Sequence, residues 1–395
     1  MLFDRTIKEK VENSLKEKQK VVILYGPRQA GKTTLIKAII SNFKNEPPYY
    51  TGDDLYTQEL FGKNELEILK RTVGEEKLLI IDEAQRIPNI GLSLKLLVDN
   101  LPITILVSGS SSFDIANRIN EPLTGRTSTF QLFPLSYKEL KKNFQMMSPE
   151  SALEEMLRFG MYPKIHTLAS EEEKQNYLYE LLNNYLYKDI LTFENVRKPK
   201  KAVDLLALLA LQIGKEVSVS ELAQNLSISQ KSVENYLDVL EKMFVVVNLR
   251  GFSRNLRKEI SKTSKYYFAD IGLRNALIRN FNPLRLRSDY GELFENWLVV
   301  EKMKRANNEQ THANFYFWRT YDQKEIDLVE ERDGKLFGYE FKWSAKKTKP
   351  PADWLKTYTE AGYEVIDREN YQKFLTKGVS SKNLLPGRQA IDRSE

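Results

Sequence analysis

The stretch Gly26-Pro-Arg-Gln-Ala-Gly31-Lys32-Thr33 lies between an apolar run, Val21-Val-Ile-Leu-Tyr25, and a helix-like run, Thr34 to Ile40, and it constrains the fold of this 395-residue chain more than any other feature. It fits the G-x-x-x-x-G-K-[ST] pattern in the strand-then-helix setting that gives the pattern its meaning. Glycines let the backbone curl so that successive N–H groups and a helix N-terminus converge on phosphate oxygens. Lys32 adds positive charge, and Thr33 offers a hydroxyl to magnesium. Gly26, Pro27, Arg28, Gln29, Ala30, Gly31, Lys32, Thr33 and Thr34 are therefore the candidate ATP-binding residues.

A loop of this kind needs a second, acidic half. Leu78-Leu-Ile-Ile-Asp82-Glu83 supplies it as an apolar strand ending in two carboxylates. Asp82 is placed to face the metal through water, and Glu83 to polarise the attacking water, a role of order ~10²–10⁴ in rate for a positioned general base. Together with Ile103-Thr-Ile-Leu-Val107, the apolar runs alternate with helical segments as far as about residue 133, which predicts an α/β fold with a parallel sheet covered by helices.

These residues resemble the AAA+ branch of the P-loop ATPases over roughly residues 15–145, with Asp82-Glu83-Ala-Gln85 in the Walker B place. The resemblance implies a parallel sheet with helices on both faces and a further strand carrying a polar sensor. Val107-Ser108-Gly-Ser110 matches that position, so Ser108 or Ser110 would contact the γ-phosphate or the water; ordinary turn serines are an equal reading. Arg126 looks like a family arginine that reaches phosphate in its own or a neighbouring subunit, which implies a homo-oligomer; a structural salt bridge is the alternative.

Composition narrows the chemistry. The length points to two or three domains rather than one core. Zero Cys and two separated His, His166 and His312, exclude thiol nucleophiles, Cys-ligated zinc and iron–sulfur clusters, so any metal is expected on oxygen ligands. The longest apolar run, Leu205 to Leu211, cannot span a bilayer and the first ten residues lack a signal-peptide apolar region, so the expectation is a cytoplasmic protein with no membrane partner. A net charge of +6 permits nucleic acid without requiring it. Arg250, Arg254, Arg257, Lys258, Lys262 and Lys265, against Glu259 alone, form the clearest basic stretch, either phosphate-contacting or merely solvated.

Three domains are expected: an ATPase domain over 1–145, a helical lid and winged helix-turn-helix region over 146–287, and a further α/β domain over 288–395. In the middle region, Leu222, Ala223, Leu226, Ile228, Val233, Tyr236, Leu237 and Leu240 would build a helix-turn-helix core, with Ser220 as a helix cap and Phe244 to Leu249 as a following strand. The mixed charge of Gln230, Lys231, Ser232, Glu234, Asn235 and Asp238 argues against sequence-specific DNA reading.

In the last region, Asp333-Gly334 is a two-residue hairpin turn, so Arg332 pairs with Lys335 and counting outward opposes Asp327 to Glu340 and Glu325 to Lys342. Opposed carboxylates repel unless a divalent cation lies between them, with Glu292 or Glu295 from the preceding helix as further ligands and magnesium as the oxygen-seeking candidate. Asp327, Glu340 and Lys342 would then direct a water at a phosphodiester. A solvent-facing sheet with a Glu325–Lys342 pair is the plainer reading. Glu-Ile-Asp327 followed by Glu340-Phe-Lys342, after the helix Gly291 to Trp297, resembles the PD-(D/E)XK restriction-endonuclease-like fold over 288–370. End to end, the chain resembles prokaryotic AAA-type ATPases that bear a C-terminal domain of unknown function. The resemblance implies an Mg-ATP-dependent motor or switch coupled to a nuclease-like module acting on, or docking to, DNA or RNA. The alternative is an ATP-driven oligomeric scaffold whose C-terminal domain is inactive and binds a protein partner.

Overall fold

The structure, a computed structural model, describes residues 3–110, 123, 125–183, 198–253, 264–320, 324–344 and 348–376. It separates into two compact units. The first comprises Met1–Leu135 with Tyr162–Thr167 and Lys242–Val245; the second comprises Ser136–Met161, Leu168–Glu241 and Val246–Glu395.

The first unit is built on β1 (Val21–Tyr25), β2 (Tyr49–Thr51), β3 (Leu78–Asp82), β4 (Thr104–Gly109) and β5 (Thr127–Gln131), in the order β2-β3-β4-β1-β5. Every pairing is parallel. Side-chain alternation along a strand gives the sheet two apolar faces. Val21, Ile23, Leu79, Ile81, Ile105 and Val107 pack with Phe61, Leu69, Leu94 and Leu97 from helices Leu55–Gly62, Leu66–Val73 and Ile90–Asn100. The opposite set, Val22, Leu24, Ile80, Leu106 and Phe130, packs with Ile7, Val11, Leu35, Ile36 and Ile39 from the first helix and its approach and from Lys32–Ile40. The strand expected between the other two is β4, between β3 and β1.

In the second unit, β6 (Glu216–Val217), β7 (Val246–Gly251), β8 (Ser264–Phe268), β9 (Asn314–Arg319), β10 (Glu325–Arg332), β11 (Lys335–Phe341) and β12 (Gly362–Ile366) form one sheet, ordered β12-β11-β10-β9-β7-β8-β6. One sheet thus takes strands from both sides of the boundary expected at 287/288. β7 lies parallel to β9, with Arg250 opposite Tyr316 and Gly251 opposite Phe317, so the strands after the helix-turn-helix share backbone hydrogen bonding with the C-terminal region. The helices Val219–Leu226 and Gln230–Lys242 form as expected, although the cap is Ser218, whose side chain accepts from Glu221 N, rather than Ser220. Helix Tyr290–Glu309 packs on β8 and β11, and its Asn296 amide bonds both the N–H and the carbonyl of Phe268 at 2.8 Å. No helix among the described residues is long and apolar enough to cross a membrane.

Candidate functional site

The glycine-rich bend follows β1, where its spacing put it. A Cβ on Gly26 would strike the Leu132 carbonyl, so only glycine fits that approach. Gly31, at φ 99°, is the left-handed residue from which helix Lys32–Ile40 starts, a conformation glycine adopts without strain. Pro27 and Ala30 are buried, while Gln29 and Thr34 are exposed. Arg5, which no sequence pattern singled out, donates to the Ala30 carbonyl at 2.7 Å and to Phe133 O at 2.6 Å and so fixes the bend to the end of β5.

Lys32 is buried, and its amine donates to the carbonyls of Gly26 (2.9 Å) and Pro27 (3.0 Å). Burial brings its pKa down to about 8; Glu83 and Asp82 oppose that fall and Arg28 adds to it. The charge nearest the bend is thus held by neutral carbonyl oxygens, bonds that an anionic oxygen can replace.

Asp82 collects four donors. Thr33 Oγ1 (2.7 Å) and the Tyr49 hydroxyl (2.6 Å) reach Oδ2, while Ser108 Oγ and the Glu83 N–H (3.1 Å) reach Oδ1. Burial disfavours the carboxylate, yet the bonds from Ser108, Tyr49 and Thr33 hold its pKa below the ordinary value. Thr33 and Asp82 form an oxygen-only pair at the helix start, which fits magnesium as the metal an ATP site uses. Glu83 sits at φ 50° just past the strand, and its Oε2 accepts from Gln85 Nε2 at 2.6 Å; the same Gln85 nitrogen is 3.2 Å from Ser110 Oγ. Ser108 thus lies against Asp82, and Ser110 against Gln85, the partner of Glu83. Tyr49 and Gln85 were not foreseen. Tyr49 arrives through the pairing of β2 with β3, which puts Thr51 opposite Asp82. Arg126 is paired with Asp99 and about half exposed.

The C-terminal carboxylates differ from expectation. The register is the one counted from the turn: Arg332 opposes Lys335, and Leu328 opposes Tyr339, with Asp333 and Gly334 both at positive φ. The face is nevertheless buried, with Asp327 at 7% and Glu340 at 8% exposure. Glu325 pairs with Lys265 rather than Lys342, and Lys342, just past the end of β11, bonds Glu340 at 2.5 Å. Lys265 also lies 3.6 Å from Glu295, which accepts from the Tyr267 hydroxyl at 2.7 Å, and Asp327 accepts from Phe341 N at 2.7 Å.

Lys265 corrects two expectations at once. It is 3% exposed, so it belongs to no basic surface stretch, and the balancing cation is a lysine brought in by β8. Arg254, Arg257, Lys258, Glu259 and Lys262 lie outside the described residues. Among the described residues no group of three or more His, Asp or Glu is arranged to hold a metal, Glu292, Glu295, Asp327 and Glu340 included. Burial raises Asp327 well above the usual carboxylate range, reinforced by Glu295 and Glu340 and opposed by Lys265. Burial raises Glu295 as well.

Comparison with known proteins bears on the first unit. Residues 18–141 match the model of an AAA domain. Residues 150–284 and 290–378 match two families described as domains of unknown function, DUF8612 and DUF4143. The chain is 29% identical over 327 residues to an uncharacterised protein of Mycobacterium tuberculosis, covering 82% of this chain and 70% of that one. It is 26% identical over 392 residues to an uncharacterised protein of Methanocaldococcus jannaschii, covering 91% and 86%. A solved signal-transduction ATPase with a tetratricopeptide repeat sensor, from Pyrococcus horikoshii, aligns at TM-score 0.30 and 15% identity over 77% of this chain and 46% of its own, an overlap too slight to transfer anything. The AAA-domain match and the parallel five-stranded sheet together support an AAA+ P-loop ATPase region that binds ATP.

Proposed function

We propose that this protein binds and hydrolyses Mg-ATP at the bend after β1 and works as a homo-oligomeric switch or motor. The observation that carries the reading is the convergence of Lys32, Thr33, Asp82 and Glu83 at the tips of β1 and β3, where the lysine is held by carbonyls and the metal-side acid is kept ionised by hydroxyls. In this reading the amides of residues 26–34 and Lys32 bind the phosphates, while Thr33 and Asp82 hold magnesium. Bound magnesium would draw off charge developing on the phosphates. Glu83, once Gln85 lets go of it, takes a proton from the attacking water, with Ser108 or Ser110 orienting that water. Arg126 would leave Asp99 to reach phosphate, in its own or a neighbouring subunit.

Calorimetry and phosphate release test the assignment. Lys32→Ala should lose Mg-ATP affinity, whereas Glu83→Gln should bind normally and turn over about 10²–10⁴-fold more slowly. Equal loss of binding in both contradicts the assigned roles.

A second reading concerns the second unit, as a restriction-endonuclease-like module that binds or cuts DNA or RNA under ATP control. What favours it is Glu340: its Oε2 is buried without a hydrogen-bond partner, beside Lys342 and Asp327. Incubation with DNA or RNA, magnesium and ATP should then give cleavage that Glu340→Ala and Lys342→Ala abolish. No cleavage under any condition leaves the scaffold reading, with a protein partner on this unit.

A further inference from the structure

We infer that Tyr49 is a latch on Asp82 that sets how much magnesium the site needs before it grips nucleotide, an inference that rests on the proposed ATP site. A carboxylate has about four lone-pair positions. In Asp82 all are used, by Thr33 and Tyr49 on Oδ2 and by Ser108 and the Glu83 N–H on Oδ1.

Magnesium sheds its waters reluctantly, so a carboxylate that serves it accepts hydrogen bonds from the metal's water shell. One of the four donors must yield first. The Glu83 N–H is backbone at the strand end, and Ser108 is fully buried on the central strand β4. Thr33 belongs to the loop that binds the same metal. Tyr49 is different: it lies on the edge strand β2, three residues long, and is 37% exposed, so its ring can swing into solvent without opening a cavity. Among the described residues, its hydroxyl donates to the Asp82 oxygen that Thr33 shares. Magnesium and Tyr49 therefore compete for Asp82 Oδ2, and Tyr49 is a positioning residue rather than a catalytic one.

The test is calorimetric titration of the full chain with a non-hydrolysable ATP analogue at a series of magnesium concentrations, in the parent and in Tyr49→Phe. The variant keeps the ring and removes only the hydroxyl. Its magnesium-free affinity should equal that of the parent, and the magnesium concentration giving half of the affinity gain should fall about fivefold, the size of one net hydrogen bond. Tyr49→Leu, with melting followed by circular dichroism to verify folding, should shift the same way. An unchanged or increased magnesium requirement in both variants overturns the latch. Failure of the parent itself to bind the analogue, with or without magnesium, overturns the ATP site and the latch with it.

Discussion

Asp82 and Asp327 both lie near strand ends, both are buried, and their surroundings drive them in opposite directions. Asp82 is surrounded by neutral donors, three hydroxyls and one amide, and stays ionised below its ordinary pKa. Asp327 is buried among carboxylates, with Glu295 and Glu340 close enough to push it further toward the neutral acid. Dipoles that donate to a carboxylate stabilise its charge without cancelling it, whereas a second carboxylate must be balanced by a proton or a cation. The first arrangement leaves a negative charge available to a metal; the second has used lysines, Lys265 and Lys342, to make an acidic patch tolerable.

The largest effect that would sharpen this contrast is kinetic. Glu83→Gln should slow ATP turnover by about 10²–10⁴ while leaving the melting behaviour of the protein nearly unchanged. Next is Lys265→Met. It removes the buried cation beside Glu295 and Glu325 and should destabilise the second unit by about 3–5 kcal/mol in denaturant melts, the cost of stranding a buried charge. A loss below about 1 kcal/mol would show that those carboxylates do not depend on it.

The two aspartates should also answer pH oppositely. Asp82, with a lowered folded pKa, adds stability above its unfolded pKa that is lost as pH falls through the folded value. Asp327, with a raised folded pKa, adds stability present below its unfolded pKa and lost as pH rises through the folded value. Asp327→Asn keeps an acceptor for Phe341 N, so it should make the second unit more stable at neutral pH and flatten its loss with rising pH. A variant as pH-sensitive as the parent would break the comparison. The smallest effect is expected at Arg126→Ala: the pair with Asp99 is half exposed, so stability should change by about 1 kcal/mol or less. Any larger fall in turnover would then report a role at phosphate.

The glycine-rich bend, the acids ending β3 and the Asp333-Gly334 turn with its register were all legible, because each is written within a few residues as a glycine position, an apolar run or a turn pair. What surrounds them was not. Asp82 and Glu83 could be read as a pair from spacing, yet Tyr49 and Ser108, which complete the Asp82 shell, gave no local signal for that contact. Lys265 read as one more residue of a basic surface stretch, because nothing in its neighbours says that β8 runs beside β7 and brings it to Glu325. The pairing that joins the strands on either side of 287/288 was equally illegible: 62 residues lie between the end of β7 and the start of β9, and nothing local to either says that they meet.

By itself, then, the sequence determined where the glycine-rich bend would lie and which two acids would sit at the next strand tip, since backbone curl, strand length and turn type depend on neighbouring residues. Tertiary structure alone decided which side chains meet: Arg5 reaches Phe133 across 128 positions, Tyr49 reaches Asp82 across 33 and Lys265 reaches Glu325 across 60. The physical reason is that loop-closure cost grows only slowly with length, so sequence separation hardly restricts which partners converge, and sheet order is left to choose them.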